Sequence, residues 1–119
     1  SVAREVVDEL RAQGLKAGLI KLRFVRPFPG EELRLATGGL NALGVFDRSA
    51  AFNGLGPVFT EMRNALYGSG LSMTNHIAGI GGRDITVEIV REMYELVEQR
   101  SRGEKTRECT WHGLRGEQR

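Results

Sequence analysis

The chain has 119 residues, 40% of them apolar and 27% charged, with a formal net charge of +2. That is one domain's worth of sequence with enough apolar mass to bury a core, and it excludes a disordered chain. A single cysteine, Cys109, excludes an internal disulfide framework and a cysteine-based zinc site, and two histidines, His76 and His112, are too few for a histidine metal site.

No apolar run approaches the ~18 residues that a membrane helix needs, and no basic-then-apolar leader opens the sequence. A cytoplasmic location without membrane contact is the expectation. The chain opens on Ser1, as expected of a processed chain or a piece of a longer one. Charge is uneven along it. Residues 1–99 carry 11 basic and 12 acidic side chains, whereas residues 100–119 carry six and three. A near-neutral body is not a nucleic-acid footprint, which would cluster Lys and Arg on one face.

In chain order, residues 2–13 predict a helix. Val2, Val6, Val7 and Leu10 form one apolar stripe, Ser1 caps the start, and Gly14 stops it in a left-handed conformation with Leu15 folding back. Residues 17–25 alternate like a strand, with Ile20, Leu22 and Phe24 on one face, and Arg26-Pro27-Phe28-Pro29 ends it. Glu31 and Glu32 open a short helix over 31–37, closed by Gly38-Gly39. Residues 42–47 predict a short buried strand ending in Asp47-Arg48-Ser49. After the glycine-rich loop at 53–56, Pro57 starts a helix with Val58, Phe59, Met62 and Leu66 on its apolar face. Residues 72–78 predict another strand. Thr86 caps the last helix, whose stripe is Val87, Val90, Met93, Tyr94 and Val97. Beyond residue 100 the pattern stops, and only Trp111 and Leu114 could dock there.

Strands separated by helices imply parallel pairing with helices on both faces, an α/β fold. Three strands are few for four amphipathic helices, and a chain opening on a capped helix has the look of a unit missing its first strand. The expected division is a domain over 1–100 and a basic C-terminal tail over 101–119.

Four loop features carry candidate function. Gly79-Ile80-Gly81-Gly82-Arg83-Asp84 joins a strand to a helix start, where outward backbone amides, the helix dipole and Arg83 could hold an anion. It matches neither a dinucleotide fingerprint nor a P-loop, and reads first as a tight turn whose Arg83 and Asp84 make ion pairs. Asp47-Arg48-Ser49 lies at the carboxyl end of a strand, where ligands bind in open α/β sheets, and reads first as a loop-ordering pair. Phe28, between two prolines, is either an interface anchor or a plug in the core, and Arg26 stands beside it. His76 reads as a satisfied histidine inside an apolar strand, and Cys109 as a spectator thiol.

Three strings, in order, carry a resemblance: Leu19-Ile20-Lys21-Leu22-Arg23-Phe24-Val25-Arg26-Pro27-Phe28-Pro29; Asp47-Arg48-Ser49 followed by Gly54 and Gly56-Pro57; and Gly79 through Thr86. Together they resemble the α subunit, or the matching domain, of the 2-oxoacid:ferredoxin oxidoreductases of the pyruvate synthase type. The segment is similar to the C-terminal domain of transketolase. The resemblance covers about residues 1–100, with Trp111 to Arg115 as a further stretch. It implies a three-layer α/β/α sandwich with a mostly parallel sheet, here lacking its first, central strand.

It also implies a parent oxidoreductase that uses thiamine diphosphate, magnesium and 4Fe–4S clusters, with coenzyme A as substrate. That parent turns a 2-oxoacid, pyruvate first among them, into acyl-CoA and CO2 and reduces ferredoxin. No catalytic residue carries over. Arg26, Phe28, Asp47, Arg48, Gly81, Gly82, Arg83 and Asp84 stand as candidate interface or anion-binding positions. The expected partners are the other subunits or domains of the oxidoreductase and, through the complex, ferredoxin. A sheet with open edges also predicts self-association. The rival reading is a module binding phosphate or coenzyme A through the 47–57 and 79–86 loops.

Overall fold

A computed structural model describes residues 1–22, 27–79 and 84–113. Helix α1 (Val2–Ala12) starts where the sequence places it, with the Ser1 hydroxyl accepting the Arg4 amide at 3.3 Å. It ends on Gly14 at φ +89°. The Gly14 amide then returns to the Arg11 carbonyl and that of Leu15 to the Leu10 carbonyl, closing the paired bonds of a left-handed helix stop.

Residues 17–22 do not form a strand. Alternation makes a strand only where a ladder partner stands beside it. Here the Ala17 carbonyl accepts from Arg11 Nε at 2.7 Å and the Gly18 carbonyl from the Tyr94 hydroxyl at 2.7 Å. Side chains take the carbonyls that a ladder would have used. Residues 23–25 of the expected strand lie outside the described residues.

Helix α2 (Gly30–Thr37) follows, then strand β1 (Ala42–Asp47), helix α3 (Pro57–Ala65), strand β2 (Ser72–Ile77), helix α4 (Val87–Ser101) and strand β3 (Cys109–Trp111). The three strands are parallel in the order β1-β2-β3, with Val45 opposite Asn75, Phe46 opposite His76, and His76 opposite Thr110. The result is an α/β fold with helices on both faces of a parallel sheet.

One face of the sheet meets α2 and α3. Its core is Leu33, Val45, Phe59, Met62 and Leu66, and Leu22, Phe28, Leu43 and Met73 pack against it. The other face meets α4, which in turn packs on α1. Gly44 lies on that second face because α4 comes so close: a Cβ there would sit 2.5 Å from Val97 Cγ2 and 3.2 Å from the His76 ring.

The third strand falls in the segment read as tail. Arg100 brings the chain back to the sheet. Its guanidinium donates to Thr106 Oγ1 (2.9 Å), the Thr106 carbonyl (3.2 Å) and Ser72 Oγ (3.1 Å). The amide of Asn75 then donates to the Glu108 carbonyl, and that of His112 to the Ile77 carbonyl. A three-residue strand after a polar loop leaves almost no period for a sequence pattern to reveal.

Candidate functional site at the carboxyl ends of the strands

Asp47 ends β1 facing the start of α3. Nothing on α3 itself caps that start: Gly56 stands at the cap position without a side chain, and Pro57 has no amide hydrogen. Asp47 supplies the missing acceptor from the sheet. Its Oδ1 accepts the Val58 amide at 2.8 Å, and its Oδ2 the Phe59 amide at 3.1 Å. A carboxylate held by the first amides of a helix also lies at the positive end of the helix dipole.

Asn75, wholly buried on β2, completes the lock. Its amide nitrogen donates to Asp47 Oδ2 at 3.0 Å and to the Val45 carbonyl at 3.1 Å. Its oxygen accepts the Gly56 amide at 2.7 Å. A Cβ on Gly56 would overlap the Asp47 carboxylate, so the glycine is a requirement of the lock. Four backbone groups, on β1 and at the start of α3, are thereby bonded by two side chains.

The remaining sequence candidates fall as follows. Arg48 is exposed, and its guanidinium lies against Gly79, where a Cβ would sit 2.9 Å from Nη1. Phe28 is half-buried against the α2–α3 core. Asp84 is exposed. Arg26, Gly81, Gly82 and Arg83 lie outside the described residues, and Asp47 and Arg48 stand at one end of the sheet. Cys109 is half-buried, its sulfur 3.7 Å from both the Gly54 carbonyl and Asn75 Oδ1, and burial raises its thiol above the usual range.

Sequence reasoning missed two groups. One is Asn75, whose strand position gave no sign that its amide faces a helix start. The other lies on the α4 face. There His76 Nε2 is 2.8 Å from Thr74 Oγ1, His76 Nδ1 is 2.9 Å from His112 Nε2, and His112 Nδ1 is 3.1 Å from Glu92 Oε1. His76 fits its reading as a satisfied histidine. That His112 satisfies it was hidden by a separation of 36 residues. Among the described residues, no group of three His, Cys, Asp or Glu side chains is placed to hold a metal ion. None of their buried side-chain nitrogen or oxygen atoms lacks a hydrogen-bond partner.

A parallel sheet with helices on both faces, and polar groups gathered at the carboxyl ends of its strands, defines an α/β domain of the doubly covered kind. Residues 1–90 match the family model described as pyruvate:ferredoxin oxidoreductase core domain II, and the chain belongs to that family.

Among curated proteins the chain is 40% identical over 118 residues to the ketoisovalerate oxidoreductase subunit VorA of Pyrococcus abyssi, covering 94% of this chain and 29% of that protein. It is 37% identical over 117 residues to the pyruvate synthase subunit PorA of Methanothermobacter thermautotrophicus, covering 98% of this chain and 29% of that one. It is 40% identical over 99 residues to the α subunit of the NADH-dependent phenylglyoxylate dehydrogenase of Aromatoleum evansii, covering 81% and 24%. The chain thus spans less than a third of the length of these relatives.

Proposed function

We propose that this chain is a non-catalytic bracing and docking domain of a 2-oxoacid:ferredoxin oxidoreductase. The parent would oxidise a 2-oxoacid to acyl-CoA and CO2, use thiamine diphosphate, magnesium and 4Fe–4S clusters, and pass electrons to ferredoxin. The relatives are named for ketoisovalerate, pyruvate and phenylglyoxylate at similar identity, which supports the substrate class more than any one acid. Pyruvate remains our first choice among them.

The observation that carries the bracing role is the Asp47–Asn75 lock. In an open α/β sheet the helix start beside a strand end is where a phosphate would sit. Here the Val58 and Phe59 amides are already bonded to Asp47. The loop at 47–57 spends its anion-binding capacity on its own fold. The donor set points the same way for iron–sulfur clusters. These are held by several cysteine thiolates, and this chain has one. One cysteine cannot by itself hold such a cluster.

Exposed apolar side chains support docking. Leu35 and Tyr67 are each 84% exposed, and Phe52 stands fully exposed on the 48–56 loop. Large apolar and aromatic groups are the side chains an interface covers. The outer edge of β1, with Phe46 41% exposed beside it, has no strand partner among the described residues, which supports self-association of the isolated chain.

The test is to tag this chain at its carboxyl end, recover its assembly anaerobically, and measure viologen reduction with coenzyme A and each of several 2-oxoacids. Activity that follows the tag, with one acid preferred, is the expected result. Full recovery of an assembly that has no activity on any 2-oxoacid and no cluster absorbance would overturn the reading.

A further inference from the structure

The α4 face holds a hydrogen-bonded chain of four side chains whose polarity follows from its ends. A carboxylate only accepts, so Glu92 takes the Nδ1 hydrogen of His112. The neutral His112 ring then accepts at Nε2, and His76 must donate to it from Nδ1. His76 Nε2 is left as an acceptor, which the Thr74 hydroxyl fills. With both rings neutral, all three contacts are satisfied at once in these tautomers.

The chain joins three elements. Thr74 and His76 are on β2, His112 directly follows β3, and Glu92 is on α4. His76 and His112 are buried, at 2% and 4% exposure, while the Glu92 side chain is 35% exposed. We propose that Thr74, His76, His112 and Glu92 form a pH-sensitive clamp that holds strand β3 to the sheet at neutral pH and releases it on acidification.

The proton arithmetic gives the direction. One added proton can be held on His112, between Glu92 and His76, if His76 switches tautomer and donates to the Thr74 oxygen. A second cannot, because two N–H groups would then face each other across 2.9 Å. Burial, with His112 beside it, lowers His76 from 6.5 to about 3. Once β3 opens, both rings reach water and each takes a proton near the ordinary histidine value. The open form therefore binds more protons than the closed form below pH ~6.5, and acid favours opening.

Several neighbouring groups carry no charge or are engaged elsewhere. From β1 the side facing His76 is Gly44, without charge. Asp47 of β1 is engaged by α3 on the opposite face, and the Cys109 sulfur of β3 faces Asn75 and Gly54. On the α1–α4 seam Arg91 pairs with Glu9 at 2.7 Å, and the Tyr94 hydroxyl donates to Gly18. Glu92 is the α4 carboxylate that reaches the imidazoles. Opening of β3 would uncover the β2 edge and the half-buried Trp111.

Hydrogen exchange read by mass spectrometry in the assembled protein tests the clamp. After correction for intrinsic rates, protection of residues 108–113 should fall by about tenfold per pH unit below 6.5, while protection of 42–47 on β1 holds. Glu92→Gln removes the charge beside the pair's one added proton. It should open 108–113 roughly tenfold further than wild type at pH 5, relative to each protein's own value at pH 7.5. Equal loss of protection in the two segments, constant protection down to pH 4.5, or a Glu92→Gln profile that overlays wild type would overturn the proposal.

Discussion

On the α3 face of the sheet, buried polar groups are satisfied by a carboxylate, an amide and helix N–H groups. On the α4 face, two imidazoles do the same work. The first network is anchored in backbone. Asp47 and Asn75 between them bond the amides of Gly56, Val58 and Phe59 and the carbonyl of Val45. The second is side chain to side chain throughout, and its polarity depends on where two protons sit. The difference teaches what each face is for. The α3 face fixes geometry and keeps its helix start from outside anions. The α4 face holds the last strand by bonds that acid can reverse.

Breaking the α3 side should cost most. Asp47→Ala strands two helix amides and half of the Asn75 amide in a buried site, for an expected loss of about 3 kcal/mol by urea denaturation. On the α4 side at neutral pH the sharpest single change is steric. Gly44→Ala drives a methyl into the stiff Val97 side chain and against the His76 ring, and should cost about 2 kcal/mol. The two losses should also differ in pH response. The Gly44→Ala deficit shrinks on acidification, because a loosened imidazole chain lets the folded state take up protons that the wild type excludes, whereas Asp47→Ala leaves that chain and its pH response intact.

Much of this frame was legible in the sequence, and the reasons are local. Ser1, Gly14, Pro57 and Thr86 are start and stop signals that act within a few residues of themselves, and the helices begin and end on them. Strand β1 runs over 42–47 as its apolar run implies. The misses share a non-local cause. Residues 17–22 alternate like a strand but depend on a neighbour for a ladder. Strand β3 is three residues long and exists because Arg100 and β2 receive it. Asp47 was marked as a strand-end residue, yet its engagement with α3 depends on how the 48–56 loop folds. His76 and His112 meet only once the sheet has formed.

The most direct measurement for the bracing role is turnover per assembled complex carrying Asp47→Ala, compared with wild type. The substrates would be coenzyme A and the preferred 2-oxoacid. The account predicts a reduced yield of assembly with kcat and both KM values unchanged in what does assemble. Full assembly with a raised KM for coenzyme A or a depressed kcat would place Asp47 and its loop in the reaction itself and contradict the account.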